Sequence, residues 1–154
     1  MDQALAAYAN TNPDVQVLLG IQGIGITIAT AFVARVSSIH MFNRGRSFAS
    51  WLGLTCREYS SGQTRRLGRI TRQGDRYLRT MLIHGARAAL MAARRKAATG
   101  KELTRLETWA VKTQARVGHN KATVALANKM ARIIWAVWTR HDKFNGNDAL
   151  RFAA

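Results

Sequence analysis

A single proline, Pro13, occurs in this chain of 154 residues, so almost the whole sequence is free to be helical. Proline lacks a backbone N–H and clashes with the preceding helical turn, and its absence after position 13 removes the strongest helix breaker. Between residues 75 and 140, apolar residues recur at spacings of three and four, which is the period of a helix with one buried face. The sequence therefore predicts a mainly α fold, a compact helical domain.

Residues that cap helices predict where the helices begin. Asn12 stands directly before the proline, and Asp75 precedes a long periodic stretch that is predicted to continue to Lys96. Two more helices are predicted over residues 102–117 and 120–140.

Composition divides this one domain into three parts. Residues 1–55 are predicted to form a helical N-terminal part with a glycine-rich turn. Residues 56–76 have no helical period and are rich in Ser, Gly and Arg, so they are predicted to form a loop or a small irregular hairpin. Residues 77–154 are predicted to form a second helical part with a C-terminal tail. We interpret the middle part as the active loop.

The charge of the chain points to a polyanionic partner. The chain has 24 Lys and Arg against 8 Asp and Glu, a net charge of +16. Such an excess repels itself in a compact fold, and nucleic acid is the first partner that would balance it, before an anionic membrane surface. The longest apolar stretch, residues 25–36, is too short to span a bilayer and contains Arg35, so no membrane segment is expected.

Neither a disulfide nor a metal site is predicted within this chain. Cys56 is the one cysteine and is expected to be a small core residue, and the four histidines are scattered without the spacing of metal ligands. The eight acids are dispersed, and most are expected at the termini or on an exposed helix, so they offer no cluster for two magnesium ions. A cytoplasmic setting, associated with the nucleoid when DNA is bound, fits the unpaired thiol and the charge.

The glycines that follow residue 19 predict a turn between two helices. Gly20, Gly23 and Gly25, followed by small and apolar residues, resemble a helix-hairpin-helix, in which N–H groups at the start of the second helix bind a phosphate. Gly23 and Gly25 are therefore candidates for nucleic-acid binding. The alternative is a plain helical hairpin whose glycines only permit a tight turn.

Arginines dominate the stretch from residue 57 to residue 96, which holds 11 basic residues, ten of them arginine, against Glu58 and Asp75. Guanidinium groups favour bidentate contacts with phosphates, and the alternative of a solvated charged face is preferred only for three arginines late in the stretch. Arg76 and Arg79, three residues apart, are predicted to share one helix face. The candidates for nucleic-acid binding are Arg57, Arg65, Arg66, Arg69, Arg72 and Arg76.

Ser60 and Ser61 stand directly before most of these arginines. A serine hydroxyl is a weak nucleophile unless a base, a metal or a positive field activates it, and clustered guanidinium groups stabilise the charge on a phosphate under attack. If the ligand is a phosphodiester, both serines are candidate nucleophiles. The alternative, which local chemistry alone favours, is that they turn the chain or cap a backbone group.

A family pattern is carried by IQGIGITIATAFVARV (residues 21–36) and by FASWLGLTCREYSSGQTRRLGRITRQGDRYLRTMLIHGARAAL (residues 48–90). Together these segments closely resemble the C-terminal, serine-bearing domain of the bridge-RNA-guided insertion-sequence transposases, a family that includes the pilin-gene inverting recombinases. The resemblance spans about residues 18–96, and KATVALANKMARIIWAVWTR (residues 121–140) is similar to the family's terminal helix.

The resemblance implies a reaction. Family members join this domain to an N-terminal RuvC-like domain with a DEDD acidic metal site, and the serine of a Ser-Gly step attacks a DNA phosphodiester to form a phosphoserine link. That step is Ser61-Gly62 in this chain, with the adjacent Ser60 as the alternative nucleophile. The positions that match the family's basic loop and its helix-hairpin-helix segment are Arg65, Arg69, Arg72, Gly23 and Gly25.

The resemblance also implies partners. They are DNA, a structured guide RNA, the RuvC-like domain of the same transposase and further copies of the chain in a homo-oligomer. No cofactor is expected on this chain, and Mg²⁺ is expected on the acidic domain, which the chain lacks, so the chain alone is expected to bind nucleic acid and to cleave little. Two alternatives need no nucleophile: a non-catalytic helix-hairpin-helix nucleic-acid-binding module, and a basic helical structural protein such as a ribosome-associated factor.

Overall fold

Seven α-helices and one β-hairpin make up residues 2–148, the part of the chain that this computed structural model describes. The prediction of a mainly α domain is confirmed, and the last residues of the predicted C-terminal tail lie outside the described part. The helices are α1 (Asp2–Thr11), α2 (Pro13–Leu19), α3 (Ile26–Arg35), α4 (Gly45–Trp51), α5 (Arg76–Ala98), α6 (Arg105–Val117) and α7 (His119–Arg140), and the strands are β1 (Cys56–Glu58) and β2 (Leu67–Ile70). A short 3-10 helix, Ile39–Met41, precedes α4.

The predicted helix starts are confirmed where a side chain caps the helix. The Asn12 carboxamide oxygen accepts from two backbone N–H groups of the first turn of α2, at 3.0 and 3.2 Å. Asp75 accepts from the N–H of Leu78 at 2.9 Å and so starts α5. α6 begins at Arg105, three residues later than predicted, because Thr104 and Glu107 form a reciprocal capping box.

The core is built around α7, which packs against α2, α4, α5 and α6. Its apolar residues recur at helical spacing, and large side chains on more than one face are fully buried, among them Leu126, Met130, Ile133 and Ile134. Burying side chains of this size stabilises a fold by roughly 1.5–3 kcal/mol each. α1 and α3 do not contact α7; α1 packs against α2 and α3, and α3 packs also against α5. No helix within residues 2–148 is long and apolar enough to cross a membrane.

Two glycines let the α2–α3 turn contact the backbone of α5. Gly23 has a φ of +87°, and a Cβ atom on it would lie 2.6 Å from the carbonyl oxygen of Gly85. A Cβ atom on Gly85 would lie 2.4 Å from the carbonyl oxygen of Gly23. Any larger residue at either position would push the turn away from α5, so internal packing alone accounts for the glycine at position 23.

A buried carboxylate holds the same turn from a third helix. Glu107 of α6 accepts hydrogen bonds from Lys96 Nζ at 2.9 Å and from Gln22 Nε2 at 3.0 Å, as well as from the N–H of Thr104 at 2.8 Å. Burial alone would raise the pKa of Glu107, but these hydrogen bonds and the Lys96 charge outweigh it and hold the pKa below its ordinary value. Most acids were expected at the termini or on an exposed helix, and Glu107, which is 4% exposed, does not follow that expectation.

Cys56 is not a core residue, contrary to its expected place. It is exposed because it begins β1, and the hairpin projects away from the helical body with most of both faces in solvent. Small apolar residues are usually buried, but here the local backbone leaves the body before the side chain could reach the core.

The Gly23–Gly85 contact predicts that the variant Gly85→Ala is less stable than the wild type. Alanine raises helix propensity, yet its Cβ would overlap the turn, so we expect the free energy of unfolding to fall by about 1–3 kcal/mol. Urea unfolding followed by circular dichroism at 222 nm measures it. Gly20→Ala is the control, because Gly20 has a φ of −70° and a Cβ there would make an ordinary contact of 3.5 Å with the carbonyl oxygen of Val17. Equal or higher stability of Gly85→Ala would contradict the packing argument.

Candidate nucleic-acid interface

The hairpin of residues 56–70, named the arm here, carries both candidate serines at its tip. β1 and β2 pair antiparallel, with Cys56 opposite Ile70 and Glu58 opposite Leu67. Beyond them, Ser61 and Thr64 exchange backbone hydrogen bonds of 3.2 and 3.1 Å. Most of the arm is exposed. The predicted loop or small hairpin is therefore a hairpin, followed by a short connection into α5.

Two local features, a glycine in the turn and a contact across the strands, favour a hairpin in the arm. Gly62 follows Ser61 with a φ of +57°, which suits the first central position of a tight two-residue turn. Farther down, the ring of Tyr59 covers Gly68 on the opposite strand, and a Cβ atom on Gly68 would lie 2.8 Å from it. Ser60 and Ser61 therefore lie directly before the turn that ends the arm.

The two serines have different surroundings. Ser60 Oγ donates to Glu58 Oε1 at 2.7 Å, and Arg65 Nε lies 3.3 Å from the same oxygen. The hydroxyl of Ser61 has no hydrogen-bond partner among residues 2–148 and is exposed. Sequence reasoning assigned no role to Glu58, although residues two apart on a strand point to one face and this spacing could have indicated the contact.

The candidate arginines are exposed and mostly lack acidic partners. Arg65 pairs with Glu58, and Arg57 Nη2 lies 3.5 Å from the carbonyl oxygen of Thr71. Within residues 2–148, five of the six candidate arginines form no salt bridge with a carboxylate. They lie on the two strands and their neighbours, on the connection and at the first residue of α5, and they are Arg57, Arg66, Arg69, Arg72 and Arg76.

The foot of the arm is a close contact between two backbone segments, residues 51–55 and 71–75. Gly53 and Gly74 have φ values of +72° and +90°, and a Cβ atom on Gly74 would lie 1.8 Å from the carbonyl oxygen of Trp51. Arg72 also has a positive φ, +58°, and its N–H donates to the carbonyl of Gly53 at 3.1 Å. Only glycine fits positions 53 and 74, which explains why glycines flank the arm.

Arg79 secures this foot from inside the protein. It is 8% exposed, and its Nη1 donates to the carbonyl oxygens of Leu52 at 3.1 Å and of Gln73 at 3.4 Å. Asp75 starts α5, and Arg76 and Arg79 lie three residues apart on it as predicted, but only Arg76 is exposed. The Arg79 guanidinium turns inward because it satisfies carbonyls on both sides of the foot. One buried cation therefore holds the entry and the exit of the arm together.

Asp75, the single acid at the end of the active loop, has a structural contact for its carboxylate on two sides. Asp75 caps α5 and also pairs with Arg35 Nε at 2.8 Å, and the Arg35 guanidinium lies 5.2 Å from the ring centroid of Tyr77. Partial burial would raise the pKa of Asp75, but the hydrogen bonds from Leu78 and Arg35 and the Arg35 charge hold it below its ordinary value. Asp75 therefore remains charged at neutral pH, and its charge is matched by Arg35 rather than by the arm.

The candidate glycines lie away from the arm. Gly25, which precedes α3, is exposed, and no side chain caps the first N–H groups of that helix. Arg35 ends α3 at the foot of the arm, so the ten residues of α3 separate Gly25 from the foot by about 15 Å. The structure thus groups the serines with the arginines but not with Gly23 and Gly25, whose phosphate contact stays a prediction.

Comparison with known proteins supplies a family. Residues 15–101 match the family model described as "Transposase IS116/IS110/IS902 family". The chain is 39% identical over 140 residues to the "Probable family 20 transposase" of Pseudomonas aeruginosa, covering 91% of this chain and 40% of that protein. It is 41% identical over 143 residues to the "Transposase for insertion sequence element IS1111A" of Coxiella burnetii, covering 93% and 38%. The chain thus spans about two fifths of the length of these curated relatives.

The buried guanidinium at the foot predicts a local effect of Arg79→Met. Methionine keeps the apolar stem but removes both hydrogen bonds, each worth about 1.5–3 kcal/mol for a charged donor. We expect the N–H groups of Thr71 and Arg72 to exchange with deuterium at least about tenfold faster, since 1.4 kcal/mol is a factor of ten. Amide hydrogen exchange measures this, with Arg76→Met as the exposed control, and unchanged protection at the foot would show that Arg79 does not secure it.

Proposed function

The chain belongs to the IS116/IS110/IS902 transposase family, and we propose that it is the domain that binds DNA and supplies a serine nucleophile for strand cleavage and transfer. One observation carries the proposal: the arm holds two serines at an exposed tip, directly before a run of arginines of which only Arg65 has a carboxylate partner among residues 2–148. Arginines without a carboxylate partner attract phosphates strongly, because no internal ion pair must be broken before a phosphate binds.

We assign the attack to Ser61. Its hydroxyl has no competing hydrogen bond among residues 2–148, and it is the serine of the Ser-Gly step, whereas the Ser60 hydroxyl is held by Glu58. In the proposed step a bond forms between Ser61 Oγ and phosphorus while one phosphorus–oxygen bond to a sugar breaks. The proton of the serine passes through solvent to the departing sugar oxygen. The products are a phosphoserine diester and one free hydroxyl end, and a second DNA hydroxyl can reverse the step at a new position.

The arginines of the arm have two roles in this proposal. Arg66 and Arg69 lower the negative potential at the phosphodiester, so that an oxygen nucleophile approaches it, and they stabilise the charge that builds up on its oxygens. The Arg65–Glu58 pair keeps the carboxylate of Glu58 neutralised beside a negatively charged ligand. Glu58 also makes Ser60 the alternative nucleophile, since a carboxylate within 2.7 Å of its hydroxyl can accept its proton.

Mg²⁺ is proposed as a cofactor of the whole transposase, but we assign it no site within residues 2–148. Residues 2–148 bring together no group of three His, Cys, Asp or Glu side chains that could hold a metal ion. The described residues therefore do not fit a Mg²⁺ site, and we derive no step through the metal. A RuvC-like domain, a guide RNA and further copies of the chain are likewise proposed partners of the whole transposase.

A second candidate function is a nucleic-acid-binding module without chemistry. The observation in its favour is the exposed start of α3 at Gly25, where no side chain caps the first N–H groups of the helix. Such a module would need no hydroxyl at position 61. The serine variants described below separate the two functions.

The free arginines predict a steep salt dependence of DNA binding. If about five arginines of the arm and its foot each neutralise one phosphate, a plot of log Kobs against log salt on duplex DNA has a slope of roughly −4 to −5. Replacing Arg65, Arg66, Arg69 and Arg72 by alanine should flatten the slope by about three to four, which is about one for each arginine removed. Fluorescence anisotropy with a labelled 20-base-pair duplex measures it, and an unchanged slope would place the contact surface elsewhere.

The serine assignment predicts a covalent intermediate that depends on one hydroxyl. In a full-length family transposase that carries this domain, Ser61→Ala should retain DNA binding and lose strand transfer and the covalent protein–DNA adduct. Ser60→Ala should retain adduct formation. Denaturing electrophoresis of labelled DNA, followed by peptide mass spectrometry, locates the adduct, and full transfer by both variants would rule out serine catalysis.

A further inference from the structure

Tyr59, in the middle of the arm, is the most exposed aromatic residue among residues 2–148, at 63%. The other two tyrosines are less exposed and already have partners. The Arg35 guanidinium lies over the ring of Tyr77, and the hydroxyl of Tyr8 accepts from the side chain of Asn12 at 3.0 Å. Within residues 2–148, neither a cation nor a second aromatic ring lies over the ring of Tyr59. This ring is therefore open to a ligand.

One side of the Tyr59 ring packs against the opposite strand. A Cβ atom on Gly68 would lie 2.8 Å from Cε2 and 3.4 Å from Cδ2 of the tyrosine, so the ring lies directly on the glycine backbone. A ring that is already held in place loses less side-chain freedom when it binds a ligand. Tyr59 is thus supported on one side and free on the other.

The two faces of the arm differ in charge. Ser60 Oγ donates to Glu58, so both side chains lie on one face, and the salt bridge of Arg65 to Glu58 places this arginine there as well. Leu67, which pairs with Glu58 across the strands, shares that face. The one carboxylate of the arm is therefore on the face that carries Ser60.

Tyr59 and Ser61 lie on the other face of the arm. Side chains alternate along an extended strand, so residues 59 and 61 point away from residues 58 and 60. The N–H of Tyr59 donates to the carbonyl of Arg66 at 2.8 Å, and residues that stand opposite one another in an antiparallel pair share a face. Arg66 forms no salt bridge with a carboxylate within residues 2–148. This face thus combines an open aromatic ring, a hydroxyl and an arginine without a carboxylate partner.

This combination has the chemistry that recognises a nucleotide. A nucleobase stacks on an aromatic ring, and its phosphate binds a guanidinium group. Residues 59 and 61 of an extended strand are about 7 Å apart, which is close to the distance from a base to the phosphate of its own nucleotide. A base inside a duplex is covered by its neighbours, so a base that stacks on a protein ring has left the duplex stack. The ligand of this face is therefore an unpaired nucleotide.

We propose that Tyr59 is a stacking platform for one unpaired nucleobase, beside the phosphodiester that the arm presents to Ser61. The identity of the ligand as nucleic acid rests on the proposed function. The platform accepts any base, because every base has a π face. It places the nucleotide on the face of Ser61, and so favours Ser61 over Ser60, which lies with Glu58 on the opposite face.

Single strands with and without bases test the platform. The two probes are an octamer of thymidylate and an octamer of abasic nucleotides, which has the same phosphates. The chain should bind the thymidylate octamer at least about fivefold more tightly, as expected from the stacking of one base. Tyr59→Phe should keep this preference, and Tyr59→Leu, which still covers Gly68 but has no π face, should lose it. Competition against a labelled strand at low salt, followed by fluorescence anisotropy, measures both affinities.

Two controls separate stacking from a structural role of the ring. Leu67→Ala shortens an exposed apolar side chain on the opposite face of the arm, and it should keep the preference for bases. Tyr59→Leu should bind the abasic octamer as tightly as the wild type does, because its arginines are unchanged. If Tyr59→Leu binds both octamers more weakly by the same factor, the ring only supports the hairpin and the platform is wrong. Equal binding of both octamers by the wild type would also overturn it.

The salt dependence of duplex binding distinguishes failure of the platform from failure of the proposed function. If the arginine variants flatten the log–log salt slope as expected but the wild type shows no preference for bases, the arm binds DNA and the platform fails. If the preference for bases depends on Tyr59 while the arginine variants leave the slope unchanged, the platform stands and the proposed role of the arginines fails.

Discussion

The arm depends on a backbone-to-backbone contact at its foot. A two-stranded hairpin is marginal in water when it stands alone, and this one projects from the body with little apolar surface to bury. The glycines at positions 53 and 74 let residues 51–55 and 71–75 meet without intervening side chains, and the Arg79 guanidinium then binds carbonyls on both segments. The helical body thus supplies the stability that the hairpin lacks, and the tip is free to consist of polar and charged residues.

The acids and the bases of the chain serve different purposes. Asp75 and Glu107 each satisfy several donors and hold helices in place, and the pKa of each lies below its ordinary value for that reason. Most cations of the arm have no such partner in the described part of the chain. The excess positive charge therefore lies on side chains whose charge does not hold the fold together. Its self-repulsion costs stability that a polyanion would restore on binding, which couples folding of this region to its ligand.

Local features of the fold could be predicted from the sequence, and features that depend on tertiary contacts could not. Asn12 and Asp75 mark helix starts because a cap is recognised from a few neighbouring residues, and both predictions are confirmed. The core position predicted for Cys56 was wrong, and the burial of Arg79 and Glu107 was not predicted, because the surroundings of all three come from distant segments. Arg79 turns inward only because the foot presents two carbonyls to it, and Glu107 is buried only because Lys96 and Gln22 reach it.

The candidate site could be predicted in part. The serine pair, the turn glycine after it and the arginines were identifiable as a group from spacing, and the structure places the serines, Gly62 and four of the six arginines on one hairpin. Glu58 as the partner of Ser60 was not identified, since the contact follows from a strand conformation at residues 58–60 that the sequence left open between a loop and a hairpin. The roles of Ser61 and of the arginines in binding and catalysis remain predictions.

β1 and β2 are both edge strands, because the sheet has no other member among residues 2–148. Each leaves a row of backbone donors and acceptors available to a strand of another molecule, which is a known route to aggregation. Positive side chains on both strands, such as Arg57 and Arg69, keep two arms apart in free solution. This protection against pairing is electrostatic, so it ends when phosphates neutralise the arginines. Arms of neighbouring molecules could then approach and pair once a polyanion is bound.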